Sequence, residues 1–459
     1  MSRMDRYRRT SVINASRDTV FNWHTRQGAF QRLGPPWQPT RLVDRTGAGL
    51  ETGTRIVLSV KVGPFWRQWV AEHGRYEPPR MFSDRQVKGP FAFWEHQHHF
   101  ETKTDAKMVL VDDVRYELPF GWLGRLGTGY ARREIDRLFA YRHRVTAFDT
   151  ALLSRYRSKS MKVAITGATG LIGSALTPFL QSGGHSVVPL RRLGGDVQAG
   201  TSGWDPATGD ITPDASEGLD AVVHLAGENI ASGRWNEARK ARIRDSRVGP
   251  TRRLAEALAR QNPKLKTLVV ASAIGYYGDR GTERLNEDSP SGPGFLPEVS
   301  EAWEASTEVA REAGIRVVHL RIGIVLSPAG GALGQMLLPF KMGVGGKIGS
   351  GNQYMSWVAL DDVLGAVTHV LNTEDLSGPV NVVAPNAVTN TEFTKTLGKV
   401  LGRPTVFPVP QFAARLVFGE MADALLLAST NVEPKRLQDS SFRFGYPTLE
   451  AALRHVLGR

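Results

Sequence analysis

The spacing of hydrophobic residues changes near residue 155. Before that point, short runs alternate apolar and polar residues, as at 55–62 and 108–118, and proline pairs at 35–36 and 78–79 interrupt them. Such alternation predicts an antiparallel sheet with one buried face. After that point, continuous apolar runs of strand length alternate with long helical stretches, which is typical of a parallel sheet covered by helices.

Two helical stretches flank the alternating runs, at 16–27 and 126–149. In the second stretch, Ile135, Leu138 and Phe139 recur at helical spacing and give it one apolar face. The first part of the chain is therefore predicted to hold an antiparallel sheet packed against one long helix.

This order of elements, with Asn-Ala-Ser-Arg-Asp-Thr-Val-Phe at 14–21 and Gly-Pro-Phe-Ala-Phe-Trp-Glu-His at 89–96, resembles the START/polyketide-cyclase-like superfamily. The resemblance covers residues 1–150. It implies an α+β helix-grip domain, in which a curved sheet wraps a long C-terminal helix around an apolar cavity. It also implies a small apolar ligand in that cavity.

Three histidines, His96, His98 and His99, lie in one predicted strand. Alternation along a strand places His96 and His98 on one face and His99 on the other. No carboxylate lies at a useful spacing along the sequence to complete a metal site. We therefore expect histidines that line the cavity or are satisfied by hydrogen bonds, and no bound metal.

The second part of the chain opens on an apolar strand at 163–166 that runs into three glycines. Gly167 permits a tight turn, Gly170 lets a pyrophosphate approach the backbone, and Gly173 lets the next helix pack closely. The alternative is an ordinary strand–helix turn, but the surrounding strand and helix are the context that a dinucleotide motif requires. The predicted cofactor contacts here are Gly167, Thr169, Gly170, Leu171, Ile172 and Gly173.

The second strand, 186–190, ends in Arg191 and Arg192, and no acidic residue occurs between Gly170 and Asp196. An acidic residue at this strand end would bind a ribose 2′-hydroxyl, whereas arginine binds a 2′-phosphate. The sequence thus favours NADP(H) over NAD(H). The alternative is a pair of surface arginines with no ligand.

The third strand, 221–226, is followed by Gly227 and Glu228. Ligands of open α/β sheets bind at the carboxyl ends of the strands, so this end is predicted to lie beside the cofactor. The contacts expected from it are Leu225, Ala226, Gly227 and Glu228.

Three segments, 166–173, 224–227 and 272–278, resemble the extended short-chain dehydrogenase/reductase family, and the resemblance spans about 161–375. It implies an α/β Rossmann-type doubly wound parallel sheet and hydride transfer between a nicotinamide and a hydroxyl or carbonyl carbon. It also implies a catalytic tyrosine, a lysine four residues later and a serine or threonine. Segments that resemble the family's atypical, nucleoside-diphosphate-sugar-epimerase-like branch are 204–206, 227–230, 234–236, 303–304 and 340–346.

The sequence departs from that family where its chemistry is expected. The segment 291–303 has neither tyrosine nor lysine, and Phe295 and Val299 take their places. Val299 is accordingly predicted to contact the cofactor in place of the lysine. Sugar-nucleotide enzymes carry an arginine that binds diphosphate before the Asp361-Asp362 pair, and this chain has Met355 there, which argues against a nucleotide-sugar substrate.

Polar candidates remain near the expected nicotinamide position. Ser272 lies at the carboxyl end of the fourth strand, and Tyr276 and Tyr277 follow it. We predict that Ser272 and one of the two tyrosines orient or protonate the substrate. The alternative is that the tyrosines only pack beneath the cofactor.

These patterns predict four parts: a helix-grip domain at 1–150, a linker at 151–160, an NADP-binding Rossmann-like domain at 161–378 and a small α+β domain at 379–459. The last part resembles the C-terminal domain of the atypical branch and is predicted to close over the substrate cleft.

The net charge of +13 is concentrated in the first part, because residues 1–160 hold 28 basic and 16 acidic side chains. Such an excess could attract an acidic ligand, nucleic acid or an anionic membrane. The basic residues are scattered, which favours a solvated surface over nucleic-acid binding. With no cysteine, disulfides, thiolate metal sites and cysteine nucleophiles are excluded. No signal peptide or membrane-spanning run is evident, so we expect a cytoplasmic protein.

Together these features predict an NADP(H)-dependent oxidoreductase or epimerase-like enzyme. Its substrate is expected to be a small apolar or amphipathic molecule with a hydroxyl or carbonyl group, and the first domain is expected to bind a hydrophobic ligand. The alternative is a non-catalytic NADP(H)-binding protein that senses or carries a ligand. The sequence leads to no prediction of the oligomeric state.

Overall fold

The computed structural model describes residues 4–47, 49–63, 65–121, 123–156, 159–193, 202–262 and 264–459. The chain forms two compact units. The first contains residues up to 158 with 178–184 and 458, and the second contains 159–177, 185–457 and 459. The finer division of the chain into four parts stays a prediction.

The first unit contains seven strands and three α-helices among the described residues. The strands are β1 (Asp5–Ile13), β2 (Thr40–Thr46), β3 (Arg55–Val62), β4 (Phe65–Glu77), β5 (Met81–Lys88), β6 (Phe93–Thr104) and β7 (Lys107–Glu117). The helices are α1 (Arg17–Thr25), α2 (Ala29–Arg32) and α3 (Thr128–Tyr156), the last preceded by a 3-10 turn at Leu123–Gly127.

The strands of the first unit form one antiparallel sheet in the order β1-β7-β6-β5-β4-β3-β2. One face packs on α3, where Tyr7 of β1 and Phe139 of α3 stack with ring centroids 5.5 Å apart. Trp94 and Tyr116 join the same core. The alternating pattern thus marks the buried face, and the predicted long helix is present, seven residues longer at its C-terminus than expected.

The second unit is built on parallel strands and covering helices. Its strands are β8 (Lys162–Thr166), β9 (Ser186–Arg192), β10 (Gly203–Trp204), β11 (Ala221–His224), β12 (Thr267–Ala273), β13 (Arg284–Leu285), β14 (Arg316–Ile322), β15 (Ile324–Leu326), β16 (Tyr354–Met355), β17 (Trp357–Ala359), β18 (Gly378–Val382), β19 (Val388–Thr389) and β20 (Asn431–Val432). Its helices are α4 (Leu171–Ser182, of which residues 178–182 are counted with the first unit), α5 (Pro213–Ser216), α6 (Glu237–Asp245), α7 (Val248–Gln261), α8 (Phe295–Ala305), α9 (Glu308–Glu312), α10 (Gly331–Lys341), α11 (Leu360–Asn372), α12 (Asn390–Leu401), α13 (Gln411–Phe418), α14 (Glu420–Ala422), α15 (Lys435–Asp439) and α16 (Leu449–Leu457). Single turns lie at Ile274–Tyr277 (3-10) and Asp423–Leu427 (π).

The main sheet of the second unit has the order β10-β9-β8-β11-β12-β14-β18, and the paired strands are parallel. Strand β8 lies between β9 and β11. The strands β9 and β10 are added on one side of β8, and the later strands, from β11 onward, are added on its other side. This is the doubly wound Rossmann-type arrangement, and it confirms the predicted fold class. This change of side opens a crevice at the carboxyl ends of β8 and β11.

Two stretches of the sequence with a continuous helical pattern, 235–261 and 411–428, are interrupted in the structure. The stretch 235–261 forms α6 and α7, because Pro250 has no N–H to continue a helix from the preceding turn. The stretch 411–428 breaks at Gly419, whose φ of 62° lies in the left-handed region. Across the described ranges, no helix combines the length and apolar character needed to cross a membrane.

Candidate functional site

The turn from β8 into α4 has the geometry that a phosphate-binding backbone requires. Gly167 has a φ of 67°, and a Cβ there would lie 2.8 Å from the carbonyl group of Leu225. A Cβ on Gly173 would lie 2.3 Å from the carbonyl oxygen of Gly167. Gly170 is different, because only that same oxygen, at 3.2 Å, lies near its missing Cβ. Two of the glycines are therefore needed for packing, and the third leaves the backbone open.

Thr169 and Gly170 are exposed at the tip of this turn. The N–H groups of Leu171, Ile172 and Gly173 belong to the first turn of α4 and have no partner within the helix. They carry the positive end of the helix dipole. The turn therefore offers a diphosphate a row of backbone donors.

The loop after β11 lies directly beside the glycine turn. The Leu225 N–H donates to the carbonyl oxygen of Thr166 at 3.3 Å, and Ala226 and Gly227 continue along the same edge. The Glu228 carboxylate forms an ion pair with Arg239. That carboxylate is thus already committed within the protein, and its segment can face a cofactor mainly through the backbone.

Arg247, which directly precedes α7, contacts the loop after β11 and was not among the site residues predicted from the sequence. Its Nη2 donates to the carbonyl oxygen of Glu228 at 2.9 Å, and its guanidinium lies over the Trp303 ring at 5.1 Å. Burial lowers the pKa of Arg247 to about 10. This half-buried cation beside Gly227 adds positive potential to the crevice where phosphates would lie.

Arg191 and Arg192 end β9, the strand next to β8, and both side chains are exposed. Their backbones pair with Gly203 and Trp204 of β10. The two guanidinium groups therefore stand at the carboxyl edge of the sheet, one strand away from the glycine turn. Their role in binding a 2′-phosphate stays a prediction.

Ser272 lies at the end of β12 and is part of a buried polar network. Its hydroxyl donates to Glu304 Oε1 at 2.7 Å. Arg321 of β14, which is opposite Ser272 in the sheet register, donates from Nε and Nη2 to the two oxygens of Glu304, each at 2.8 Å. The serine proton is thus directed into the protein rather than toward a substrate.

Tyr277 has no exposed surface. Its hydroxyl lies 2.9 Å from the carbonyl oxygen of Asn286 and 2.8 Å from Oδ1 of Asn381, either of which accepts its proton. It also accepts a hydrogen bond from Nη1 of Arg321 at 3.1 Å. Burial raises the pKa of Tyr277 to about 12. These contacts describe a structural tyrosine that joins the turn after β12 to β14 and β18.

Tyr276 is the more accessible of the two tyrosines, being half-buried. The Arg321 guanidinium carbon lies 3.4 Å from the centroid of its ring, in a close cation–π contact. Within the described part of the chain, its hydroxyl has no hydrogen-bond partner. Of the three predicted polar residues, Tyr276 is therefore the one whose hydroxyl remains available to a ligand.

The residues in the tyrosine and lysine positions of the resembled family are apolar in structure as in sequence. Phe295 packs edge-on against Trp235 with centroids 5.3 Å apart, within a cluster that includes Leu296 and Leu425. Val299 is buried on α8, and its predicted cofactor contact stays a prediction. The cluster brings together the loop after β11, the start of α8 and residues 421–425. We call it the apolar wall.

Met355 and Ser356 stand where sugar-nucleotide enzymes carry a diphosphate-binding arginine. The Met355 sulfur accepts a hydrogen bond from Nδ2 of Asn390 at 3.3 Å. The Ser356 hydroxyl donates to the carbonyl oxygen of Thr430 at 2.7 Å and accepts from the N–H of Val432 at 2.9 Å. Ser356 therefore anchors residues 430–432, and Met355 contacts Asn390. Neither side chain carries a positive charge that could bind a diphosphate.

Glu304 and Arg321 are the most consequential residues that sequence reasoning did not include in the site. Arg321 had a sequence signal, because it is a charged residue between Leu320 and Ile322 in the mostly apolar strand Arg316–Ile322. A buried charge requires a partner. The partner could not be identified from spacing, since Glu304 lies on a helix 17 residues earlier.

Three families match separate parts of the chain. The NAD dependent epimerase/dehydratase family matches residues 163–383. The polyketide cyclase / dehydrase and lipid transport family matches residues 13–140, and a domain of unknown function (DUF1731) matches residues 409–456. Both resemblances drawn from the sequence are confirmed by these matches.

Similar proteins cover either the second unit or the whole chain. Epimerase family protein Mb2239 of Mycobacterium bovis is 42% identical over 297 residues, which is 65% of this chain and 98% of that protein. The structure of human epimerase family protein SDR39U1 with NADPH is 37% identical, with a TM-score of 0.60 over 64% of this chain and 99% of that one. The structure of a nucleoside-diphosphate sugar epimerase from Corynebacterium glutamicum is 35% identical, with a TM-score of 0.80 over 98% of this chain and 90% of that one.

Proposed function

Since the chain belongs to the NAD dependent epimerase/dehydratase family, we propose that it binds NADP(H) in its second unit and acts as an oxidoreductase or epimerase-like enzyme. The observation that carries the proposal is the turn between β8 and α4. There Gly167 and Gly173 have no room for a side chain, while the backbone at Gly170 is open. A dinucleotide diphosphate fits such a turn because it needs backbone donors and close approach.

The choice of NADP(H) over NAD(H) rests on Arg191 and Arg192. Both are exposed at the end of the strand next to the glycine turn. Guanidinium groups bind a 2′-phosphate bidentately and have no comparable use for a 2′-hydroxyl. The human relative whose structure contains NADPH agrees with this choice.

We assign the substrate contact to Tyr276. When bound, the nicotinamide supplies or accepts the hydride, and the protein must move the matching proton. Tyr276 has the accessible hydroxyl, and the cation of Arg321 against its ring stabilises negative charge as the proton leaves. Glu304 holds Arg321 in place, so this pair takes over the positioning that a lysine provides in the resembled family.

An apolar or amphipathic substrate is supported by the wall around Phe295, Trp235 and Leu425. The neutral pair Met355 and Ser356 also argues against a diphosphate-linked sugar. For the first unit, we propose a small apolar ligand, which fits the family matched by residues 13–140. Mass spectrometry of molecules that co-purify with the full chain tests that ligand class.

The deciding experiment is a titration of the full chain with NADPH and NADH. We expect NADPH to bind more tightly than NADH, and a Gly170→Glu variant to lose binding because its carboxylate enters the phosphate site. Gly129→Glu is the matched control, since nothing lies within 4 Å of its missing Cβ. Absence of binding to either coenzyme would overturn the proposal.

A second candidate function is non-catalytic NADP(H) binding with ligand sensing. Two observations favour it. The Tyr277 hydroxyl makes all its hydrogen bonds within the protein, and the segment 291–303 has no tyrosine–lysine pair. A panel of aldehydes, ketones and quinones, followed by the absorbance of reduced nicotinamide, separates the two. Substrate-dependent oxidation of NADPH supports the enzyme, and tight binding without turnover across the panel supports the sensor.

A further inference from the structure

In the first unit, histidine and aspartate side chains from the strands β5, β6 and β7 lie close together. Asp84 of β5 is directly opposite His96 of β6, and His98 of β6 is directly opposite Asp112 of β7. Because His96 and His98 are two residues apart on one strand, they share a face. That face packs toward α3, which adds His143. Spacing along the chain missed the carboxylates because they come from the neighbouring strands.

The distances within this cluster suit a metal ion. Asp84 Oδ2 lies 3.3 Å from His96 Nδ1 and 3.5 Å from His98 Nε2. One ligand atom from each of the three residues can be chosen so that all lie within 4.8 Å of one another. With metal–ligand bonds of about 2.0–2.1 Å, tetrahedral coordination separates neighbouring ligand atoms by about 3.3 Å. The two measured separations match that value.

The far nitrogens of both rings are fixed by one carboxylate. His96 Nε2 lies 2.9 Å and His98 Nδ1 lies 2.8 Å from Asp112 Oδ1, and His143 Nε2 lies 2.7 Å from Asp112 Oδ2. An ionised carboxylate only accepts hydrogen bonds, so each of these ring nitrogens carries its proton. In the neutral rings, His96 Nδ1 and His98 Nε2 then present lone pairs to the Asp84 carboxylate. Three electron-rich atoms facing one another call for a cation between them.

We propose that Asp84, His96 and His98 bind one divalent transition-metal ion, with Asp112 as the positioning residue that orients both imidazoles. Two imidazoles and one carboxylate suit Zn²⁺ or Fe²⁺, and hydrogen bonding of the far nitrogens to a carboxylate is the usual support of such ligands. This assignment replaces the expectation from the sequence that no metal binds. It is independent of the cofactor site proposed for the second unit.

The surroundings of the cluster keep the rings in place and leave an entry. Phe82 stacks on His98 with centroids 4.0 Å apart, and Phe139 meets His96 edge-on at 4.9 Å. The His96 side chain is 2% exposed, whereas Asp84 is 19% exposed. An ion can therefore enter from the Asp84 side. Three protein ligands leave a coordination position for water or a substrate oxygen, as in catalytic rather than structural metal sites.

The test is metal binding by the full chain after treatment with a chelator. We expect equilibrium dialysis against ZnCl₂ to give one ion per chain at this site, and Co²⁺ to give the visible absorption of a four- or five-coordinate complex. Asp84→Ala and His98→Ala are expected to lose that ion and that absorption. His99→Ala is the matched control, because it lies on the same strand with its side chain on the opposite face, and it should bind as the unchanged protein does.

Asp112→Asn tests the orienting role separately, with an expected weakening of metal affinity of about 10–100-fold. Circular dichroism and urea unfolding of each variant verify that the chain is folded. Failure of the unchanged protein to bind Zn²⁺ or Co²⁺ overturns the proposal. In that case, protons on the histidine rings balance the charge of the two aspartates. Equal binding by folded His98→Ala and unchanged protein also overturns it.

Discussion

Arg321 holds Glu304 in a bidentate ion pair, with Nε 2.8 Å from Oε1 and Nη2 2.8 Å from Oε2. The two side chains are only 4% and 12% exposed. The pair connects Ser272 on one side with the rings of Tyr276 and Tyr277 on the other. It therefore holds the candidate polar residues at the carboxyl ends of β12 and β14 in a single network.

The first prediction concerns the stability that this pair provides. Arg321→Met should lower the free energy of unfolding by about 3–5 kcal/mol, because it leaves the buried Glu304 carboxylate without a counter-charge. Adding Glu304→Gln should recover part of the loss, since the glutamine oxygen can still accept from Ser272. Urea titration of the three proteins measures both effects.

The matched control for that prediction is Arg284→Met. Arg284 lies 3.3 Å from Glu433 in an exposed ion pair, so its loss should change the free energy of unfolding by no more than about 1 kcal/mol. If the double variant is no more stable than Arg321→Met alone, an unpaired carboxylate is not the source of the instability.

The second prediction separates the two tyrosines. Tyr276→Phe should leave stability nearly unchanged and reduce turnover by about 10²–10⁴-fold, as expected when a positioned acid–base group is removed. Tyr277→Phe should instead lower the free energy of unfolding by about 1–3 kcal/mol, because Asn381 and Arg321 lose a buried partner. Paired measurements of NADPH oxidation and urea unfolding distinguish these outcomes, and full turnover by Tyr276→Phe would remove it from the mechanism.

The third prediction concerns coenzyme choice. Replacing Arg191 and Arg192 together by alanine should weaken NADPH binding by at least about tenfold, because hydrogen bonds to a charged group contribute about 1.5–3 kcal/mol each. NADH binding should change little, since NADH has no 2′-phosphate. Arg311→Ala, on the exposed α9 helix, is the control for a general loss of positive charge. Equal losses of affinity for both coenzymes would show that the two arginines do not bind the 2′-phosphate.

The sequence predicted the parts of the fold that depend on local pattern. The strand, three glycines and helix at 163–182 carry their geometry in a few adjacent residues, and the alternation in 1–150 marked one buried face of a sheet. Helix ends were less predictable. The break between α6 and α7 depends on Pro250, and the one after α13 depends on Gly419, so single residues interrupted otherwise continuous helical patterns.

Contacts between distant residues were out of reach of sequence spacing. The partners of the Tyr277 hydroxyl include Asn381, which is 104 residues away. The histidine–aspartate cluster requires the register of β5, β6 and β7, and a single sequence does not give strand register. Arg321 in β14 and the histidines of β6 were the available signals, and each proved to mark a buried polar network.

The last prediction is a pH dependence of stability that arises from His224 at the end of β11. The ring is fully buried, with Nδ1 2.7 Å from Thr166 Oγ1 and Nε2 3.0 Å from Thr251 Oγ1. Burial lowers the pKa of His224 to about 4, well below its ordinary value of 6.5. Between these two values the unfolded chain binds a proton that the folded chain does not. The free energy of unfolding should therefore fall as the pH decreases from 6.5 to 4, by about 3 kcal/mol in total.

His224→Gln removes the titrating group while it keeps an amide that can bond to a threonine hydroxyl. Urea unfolding should then show the two proteins differing by a constant amount above pH 7, where His224 is neutral in both states. Below pH 6.5 the unchanged protein should lose stability faster than the variant, and the difference between the curves should level off near pH 4. Parallel curves throughout this range would mean that His224 does not cause the loss of stability on acidification.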